Sequence, residues 1–208
     1  MKLNKSLYGL KQAARFWHDH LVSTLRAIGF EQYDCEPCLL RLTNKNTGKV
    51  RMTLVMHVDD MIIAGSSRDC EWLRAALSKS FPVNNLGPLT WYTGCAFERD
   101  SKSKTVKIVQ TAYVEKIVDR FEVRKTSSNP ASASVKLRAR VEGDAQGDWP
   151  FREACGSLMW LAAMTRPDIT NAVRDVAKHM HAPTAEHWKA VMRTFQYLKR
   201  TSTRGVTY

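Results

Sequence analysis

The sequence predicts an α+β chain in which helices pack on antiparallel strands, followed by a mainly helical C-terminal segment. Three observations carry this expectation. Apolar residues near the N-terminus repeat at helical spacing; two short β-forming runs flank a pair of acids; and helical periodicity returns beyond residue 150 after a long polar stretch.

Leu10, Ala14, Trp17, Leu21, Leu25 and Ile28 recur at spacings of three and four, and Gly29 stops the pattern. An amphipathic helix of roughly five turns is expected there. Met52-Thr53-Leu54-Val55-Met56 and Met61-Ile62-Ile63-Ala64 then read as two strands of a β-hairpin with Asp59 and Asp60 at its tip. A helix is expected over residues 68–81, with Trp72, Leu73, Ala76 and Leu77 on one side, and Asn84-Asn85-Leu86-Gly87-Pro88 makes a turn after it. Strands near residues 90–98 and 105–109 precede a helix carrying Tyr113, Ile117, Val118 and Phe121. Periodicity then fades into Thr-Ser-Ser-Asn-Pro-Ala-Ser-Ala-Ser and Glu-Gly-Asp-Ala-Gln-Gly-Asp, which is linker or long-loop composition. The expected organisation is therefore residues 1–123 as strands and helices, 124–150 as linker or long loop, and 151–208 as a helical subdomain of three helices.

The chain has 208 residues, 44% hydrophobic and 25% charged, enough for at least one sizeable core. Lys and Arg number 32 against 20 Asp and Glu, and this formal charge of +12 favours polyanions, nucleic acid first. The basic residues are spread along the chain without a cationic amphipathic tail, so a membrane partner is not expected. No apolar run of about 18 residues and no signal-peptide core occurs, and the odd, scattered cysteines at 35, 38, 70, 95 and 155 read as reduced thiols of an intracellular, non-secreted protein.

Adjacent Asp59 and Asp60 repel each other unless solvent, donors or a cation offset their charge. A divalent metal resolves that conflict, and phosphoryl-transfer enzymes use two such ions about 4 Å apart on rigid carboxylates; acids also simply favour exposed turns. At the start of the first helix, Gly9 permits close backbone approach, and Lys11 with free backbone N–H groups suits a phosphate; the plainer reading is a turn and a solvated side chain. Cys35-Glu36-Pro37-Cys38 has CxxC spacing but no second pair to complete a zinc site, so Cys38 is expected buried near the end of a loop. His179, His181 and His187 are expected in surface or capping roles. Trp17, Trp160 and Trp188 fall at apolar helical positions where burial is the default.

Leu-Asn-Lys-Ser-Leu-Tyr-Gly-Leu-Lys-Gln-Ala at 3–13 and Val-Asp-Asp at 58–60 resemble motifs of copia-type LTR-retrotransposon reverse transcriptases. The resemblance continues in order through Leu86-Gly87-Pro88-Leu89 with Gly94, Gln110 with Tyr113, Gly156-Ser157-Leu158-Met159, Thr165-Arg166-Pro167-Asp168-Ile169, His187-Trp188 and Tyr197-Leu198-Lys199. Such collinearity is more specific than any one motif.

The resemblance implies a partial palm bearing the Asp-Asp hairpin, then a thumb- or connection-like helical segment. It implies RNA-directed DNA polymerase chemistry with Mg²⁺ or Mn²⁺, an RNA/DNA template-primer and dNTPs. Asp59 and Asp60 become catalytic, metal-binding carboxylates; Gly9, Lys11, Gln12 and His57 become substrate contacts; Lys189, Arg193, Lys199 and Arg200 become template-primer phosphate contacts. The implied location is cytoplasmic, in a virus-like particle of the parent element, or nuclear.

Three departures stand out. His57 replaces the family's Tyr before Val-Asp-Asp and adds a titratable group. Ala14 replaces its Pro, favouring helix propagation. The family's other catalytic Asp lies upstream of the Leu-Tyr-Gly-Leu-Lys-Gln segment, so these 208 residues are expected to be a polyprotein fragment, inactive alone, and no RNase H acids are assignable. The alternative is a non-catalytic, basic nucleic-acid-binding protein derived from such an element.

Overall fold

The computed structural model describes residues 9–144 and 147–208. Residues 3–8 of the first motif lie outside them. The described chain is mixed α+β, with two four-stranded antiparallel sheets, and it divides into two compact units, 1–88 and 89–208.

In the first unit, helix α1 (Ala13–Ala27) begins three residues later than its apolar repeat, because Gly9, at φ +92°, and Leu10 form a turn whose carbonyl receives the Ala13 N–H. The helix ends at Gly29, whose φ of +99° no other residue adopts without strain. Next come β1 (Phe30–Tyr33), β2 (Glu36–Thr43), β3 (Val50–His57) and β4 (Asp60–Gly65), a meander in that spatial order. The first two strands were not legible from periodicity. Cys38 accordingly lies half-buried within β2, not near a loop end, because Leu40 and Leu42 alternate inward and pull the segment into the sheet. Helix α2 (Ser67–Leu77) is capped by Ser66 Oγ, which accepts the Asp69 N–H at 3.1 Å, and Asp69 pairs with Arg51 of β3. Leu21, Val22 and Leu25 of α1, Leu73 and Leu77 of α2, and Met52, Leu54 and Met56 of β3 share one core with Phe30, Leu40 and Leu42.

The second unit holds β5 (Trp91–Tyr92), β6 (Cys95–Asp100), β7 (Thr105–Val109) and β8 (Gly205–Thr207), again in that order, with β8 an addition that the sequence pattern did not announce. Helices α3 (Thr111–Arg120), α4 (Phe151–Met164), α5 (Thr170–Ala177) and α6 (Ala185–Arg200) enclose a second core that includes Ile117, Phe151, Leu158, Val173, Phe195 and Leu198. Helix α4 has more apolar residues than core-facing positions, so Trp160, expected to be buried, is exposed on its outer side.

The stretch between α3 and α4 contains no helix or strand among its described residues, yet it is strapped along α6. Ser127 N–H donates to the Gln196 carbonyl at 3.1 Å, Thr194 Oγ1 to the Pro130 carbonyl at 3.1 Å, and Lys199 Nζ to the Val123 carbonyl at 2.6 Å. His187 completes the strap in the capping role expected of these histidines. Its Nδ1 accepts the Thr184 N–H at 2.9 Å and its Nε2 lies 2.9 Å from the Arg138 carbonyl, so the proton resides on Nε2. No helix among the described residues is long and apolar enough to cross a membrane.

Candidate polymerase site

Hairpin β3–β4 places the two acids differently. Ladder pairing runs from Met52↔Gly65 to His57↔Asp60, which leaves only Val58 and Asp59 in the turn. Asp60 is thus the first residue of β4 and is held by the ladder, whereas Asp59 projects from the turn itself. As a directly opposed cross-strand pair, His57 and Asp60 share one face of the sheet. That face is opposite the core, since Met52, Leu54 and Met56 are buried while Arg51, Val55 and His57 are exposed. All four residues from His57 to Asp60 are exposed.

A two-residue hairpin turn normally uses Gly, Asn or Asp where φ is positive. Here the first turn residue is Val58, at φ +54°, a conformation that crowds a β-branched side chain. The turn is tied to α1: Trp17 Nε1–H donates to the Val58 carbonyl at 3.0 Å. Trp17 is half-buried, and its ring meets Phe81 edge-on with centroids 5.2 Å apart. The sequence marked Trp17 only as a burial candidate; the signal for more was the lack of a turn-forming residue at position 58.

Gly9, Lys11 and Gln12 are exposed in the turn before α1, roughly one and a half helical turns N-terminal to the Trp17 anchor. Among the described residues a Cβ on Gly9 would meet nothing within 4 Å, so what these residues ask of it is the positive φ. For a divalent ion, Asp59 and Asp60 supply hard carboxylate oxygens, the donor type that Mg²⁺ and Mn²⁺ take, and Mg²⁺ commonly uses one or two carboxylates with water and substrate phosphate filling the rest. Among the described residues no group of three or more His, Cys, Asp or Glu side chains is placed to hold a metal. The donor chemistry fits; these residues by themselves do not complete a protein cage.

On α6, Lys189, Arg193 and Arg200 fall on one stripe, spaced by four and seven residues, opposite the buried Val191, Phe195 and Leu198. Lys189 and Arg200 are exposed, and Arg193 is half-buried with no hydrogen-bond partner for its Nε among the described residues. Lys199 sits off this stripe, with its ammonium committed to the Val123 carbonyl.

Residues 1–135 match the family model described as reverse transcriptase (RNA-dependent DNA polymerase). The chain belongs to this reverse transcriptase family. It is 34% identical, over 97% of its length, to the retrovirus-related Pol polyprotein from transposon TNT 1-94 of Nicotiana tabacum, and 32% identical, over 99%, to that from transposon RE1 of Arabidopsis thaliana. A putative transposon Ty5-1 protein of Saccharomyces cerevisiae is 25% identical over the whole chain, which covers 67% of that relative. The copia-type resemblance read from the motifs is thereby met. This reverse transcriptase chain spans 16% of the tobacco polyprotein and 14% of the Arabidopsis one. No solved structure matches it.

Several motif residues of the reverse transcriptase chain turn out to join one another rather than a reacting group. Thr165 donates to Gln110 Oε1 at 2.8 Å, and buried Arg166 reaches Asp168, Thr201 Oγ1 and the Thr201 carbonyl. Tyr197 Oη donates to Asp168 at 2.7 Å. Motif collinearity therefore reports the second core as much as the chemistry.

Proposed function

We propose that this chain supplies the Asp59–Asp60 carboxylate pair of a retrotransposon RNA-directed DNA polymerase. The observation that supports this most is a tight hairpin with adjacent exposed carboxylates, Asp59 in its two-residue turn and Asp60 at the first ladder position, in a chain of the reverse transcriptase family. Asp59 is the principal metal-holding carboxylate, and Asp60 stands beside it on the ladder. Held by these carboxylates, Mg²⁺ or Mn²⁺ would offset negative charge on the phosphates as a primer 3′-hydroxyl attacks the dNTP α-phosphorus and pyrophosphate leaves. Lys11 and Gln12 hold the triphosphate, Gly9 lets it approach the backbone, and His57 lies next to the primer end. The stripe Lys189, Arg193 and Arg200 tracks template-primer phosphates, whereas Lys199, expected with them from the sequence, braces the Val123 carbonyl.

Mn²⁺ titration followed by NMR tests the reading. Selective broadening of the Asp59 and Asp60 amides, removed by Asp59→Asn, is expected; unselective or absent broadening overturns it. Because two carboxylates do not complete a two-metal centre, primer extension on an RNA template by these 208 residues should not exceed the Asp59→Asn control. Extension that the substitution abolishes would show that the set is complete.

A further inference from the structure

Asp60 owes its position to the β3–β4 ladder, but Asp59 has no ladder partner, and the residue before it carries a backbone conformation unfavourable for valine. A tie from outside the hairpin adds to the ladder in holding that turn. The only donor of an indole is Nε1–H, and Trp17 directs it at the Val58 carbonyl, 3.0 Å away. That carbonyl belongs to the same planar peptide as the Asp59 N–H. Fixing the oxygen therefore fixes the plane from which the Asp59 side chain departs. The anchor is itself held: Phe81 lies edge-on to Trp17 on one side and to His20, one turn along α1, at 5.2 Å in each case.

We infer that Trp17 is a positioning residue for the candidate metal site: its indole holds the Val58–Asp59 peptide in the left-handed turn and thereby aims the Asp59 carboxylate. This deepens the proposed function and rests on it where the metal is concerned, but the tie itself is measurable without metal.

The test uses the full 208-residue chain as wild type, Trp17→Phe, Val58→Gly and the double variant, followed by ¹H–¹⁵N NMR and Mn²⁺ titration. Phenylalanine keeps a ring against Phe81 but removes the donor together with part of the indole's contact area, so the rescue by Val58→Gly is what isolates the donor's role. Glycine adopts positive φ freely, so it removes the need for the anchor. Trp17→Phe should shift and broaden the Val58, Asp59 and Asp60 amides and weaken Mn²⁺ broadening about tenfold, while Met52 and Gly65 at the far end of the ladder stay unchanged. Adding Val58→Gly should restore the Asp59 and Asp60 signals and the Mn²⁺ response. A merely structural tryptophan would give a defect that Val58→Gly does not rescue, and that result overturns the inference. So does a wild-type indole proton that exchanges as fast as that of free tryptophan, an outcome that needs no variant to fold. A wild-type chain showing the protected indole and the rescue but no Mn²⁺ response upholds the tie and overturns the metal reading alone.

Discussion

Arg166 and Asp168 form a two-pronged ion pair, Nε to Oδ1 at 2.9 Å and Nη2 to Oδ2 at 2.8 Å, with the guanidinium only 1% exposed. The same guanidinium donates to the Thr201 carbonyl at 3.0 Å and to its hydroxyl at 2.7 Å, so one side chain joins the end of α4 to the end of α6. A buried charge is tolerated when its donors are met in this way.

Asp168 is partly exposed and also accepts from Tyr197, so the deeply buried partner is the Arg166 guanidinium. Arg166→Ala is expected to destabilise the chain by about 2 kcal/mol, because the buried Thr201 carbonyl and hydroxyl lose this donor while the partly exposed Asp168 is rescued by water. Arg166→Lys should recover only part, because an ammonium cannot reproduce the planar fork. Urea unfolding of the second unit measures both, and an Arg166→Ala cost below about 1 kcal/mol would refute the assignment.

Stability should fall with acid in two stages. Burial, then the nearby His187 and Lys178, lower the pKa of His179, whose ring stacks on His187 at 3.9 Å. Its folded state favours the neutral form, so its contribution is complete above the ordinary value near 6.5 and declines as pH drops below it. The Arg138 hydrogen bond, then the Val141 N–H, bring Asp144 down to about 2. That contribution is complete above the ordinary value of about 4 and is lost as pH falls towards 2. Asp168 acts in the same lower window: burial pushes its pKa up, but hydrogen bonds from Arg166 and Tyr197 outweigh it. Thermal melts from about pH 8 to about pH 2 should show His179→Phe flattening the upper stage and Asp144→Asn part of the lower; unchanged profiles would contradict both.

Gly205 has no room for a side chain. A Cβ there would collide with the Ile108 carbonyl and come within 2.7 Å of Val109 Cγ1. Gly205→Ala should therefore detach β8 from β7, and the Tyr208 amide, which donates to the Val106 carbonyl at 3.0 Å, should lose its protection in hydrogen exchange. Protection that persists would mean the strand shifts to accommodate the methyl group.

Nucleic-acid binding should distinguish the α6 cations. Removing one phosphate-binding cation makes the slope of log K against log salt shallower by about 0.9. Lys189→Gln, Arg193→Gln and Arg200→Gln together should make it shallower by about 2 to 3, while Lys199→Gln should chiefly reduce stability, because its ammonium braces Val123. Equal slope changes for all four would show that Lys199 exchanges its carbonyl for phosphate.

Helices α1, α2, α3, α5 and α6 and the β3–β4 hairpin were legible in the sequence because each has a local period: side chains three and four apart on a helix, two apart on a strand. The Asp-Asp motif was legible for the same reason, as charge set between two β-forming runs. Strands β1, β2 and β8 were not, because they are short or interrupted, by Pro37 in β2, and are strands only by virtue of their neighbours. Residue spacing held no hint that Lys199 would reach Val123, that Arg166 would span to Thr201, or that Trp17 would find the Val58 carbonyl across 41 residues. The sequence by itself determined the family, the charge and the locally periodic elements. Only the tertiary structure decided which polar groups meet, since that depends on long-range packing, and so it alone separated the ladder-held Asp60 from an Asp59 steadied through a neighbouring helix.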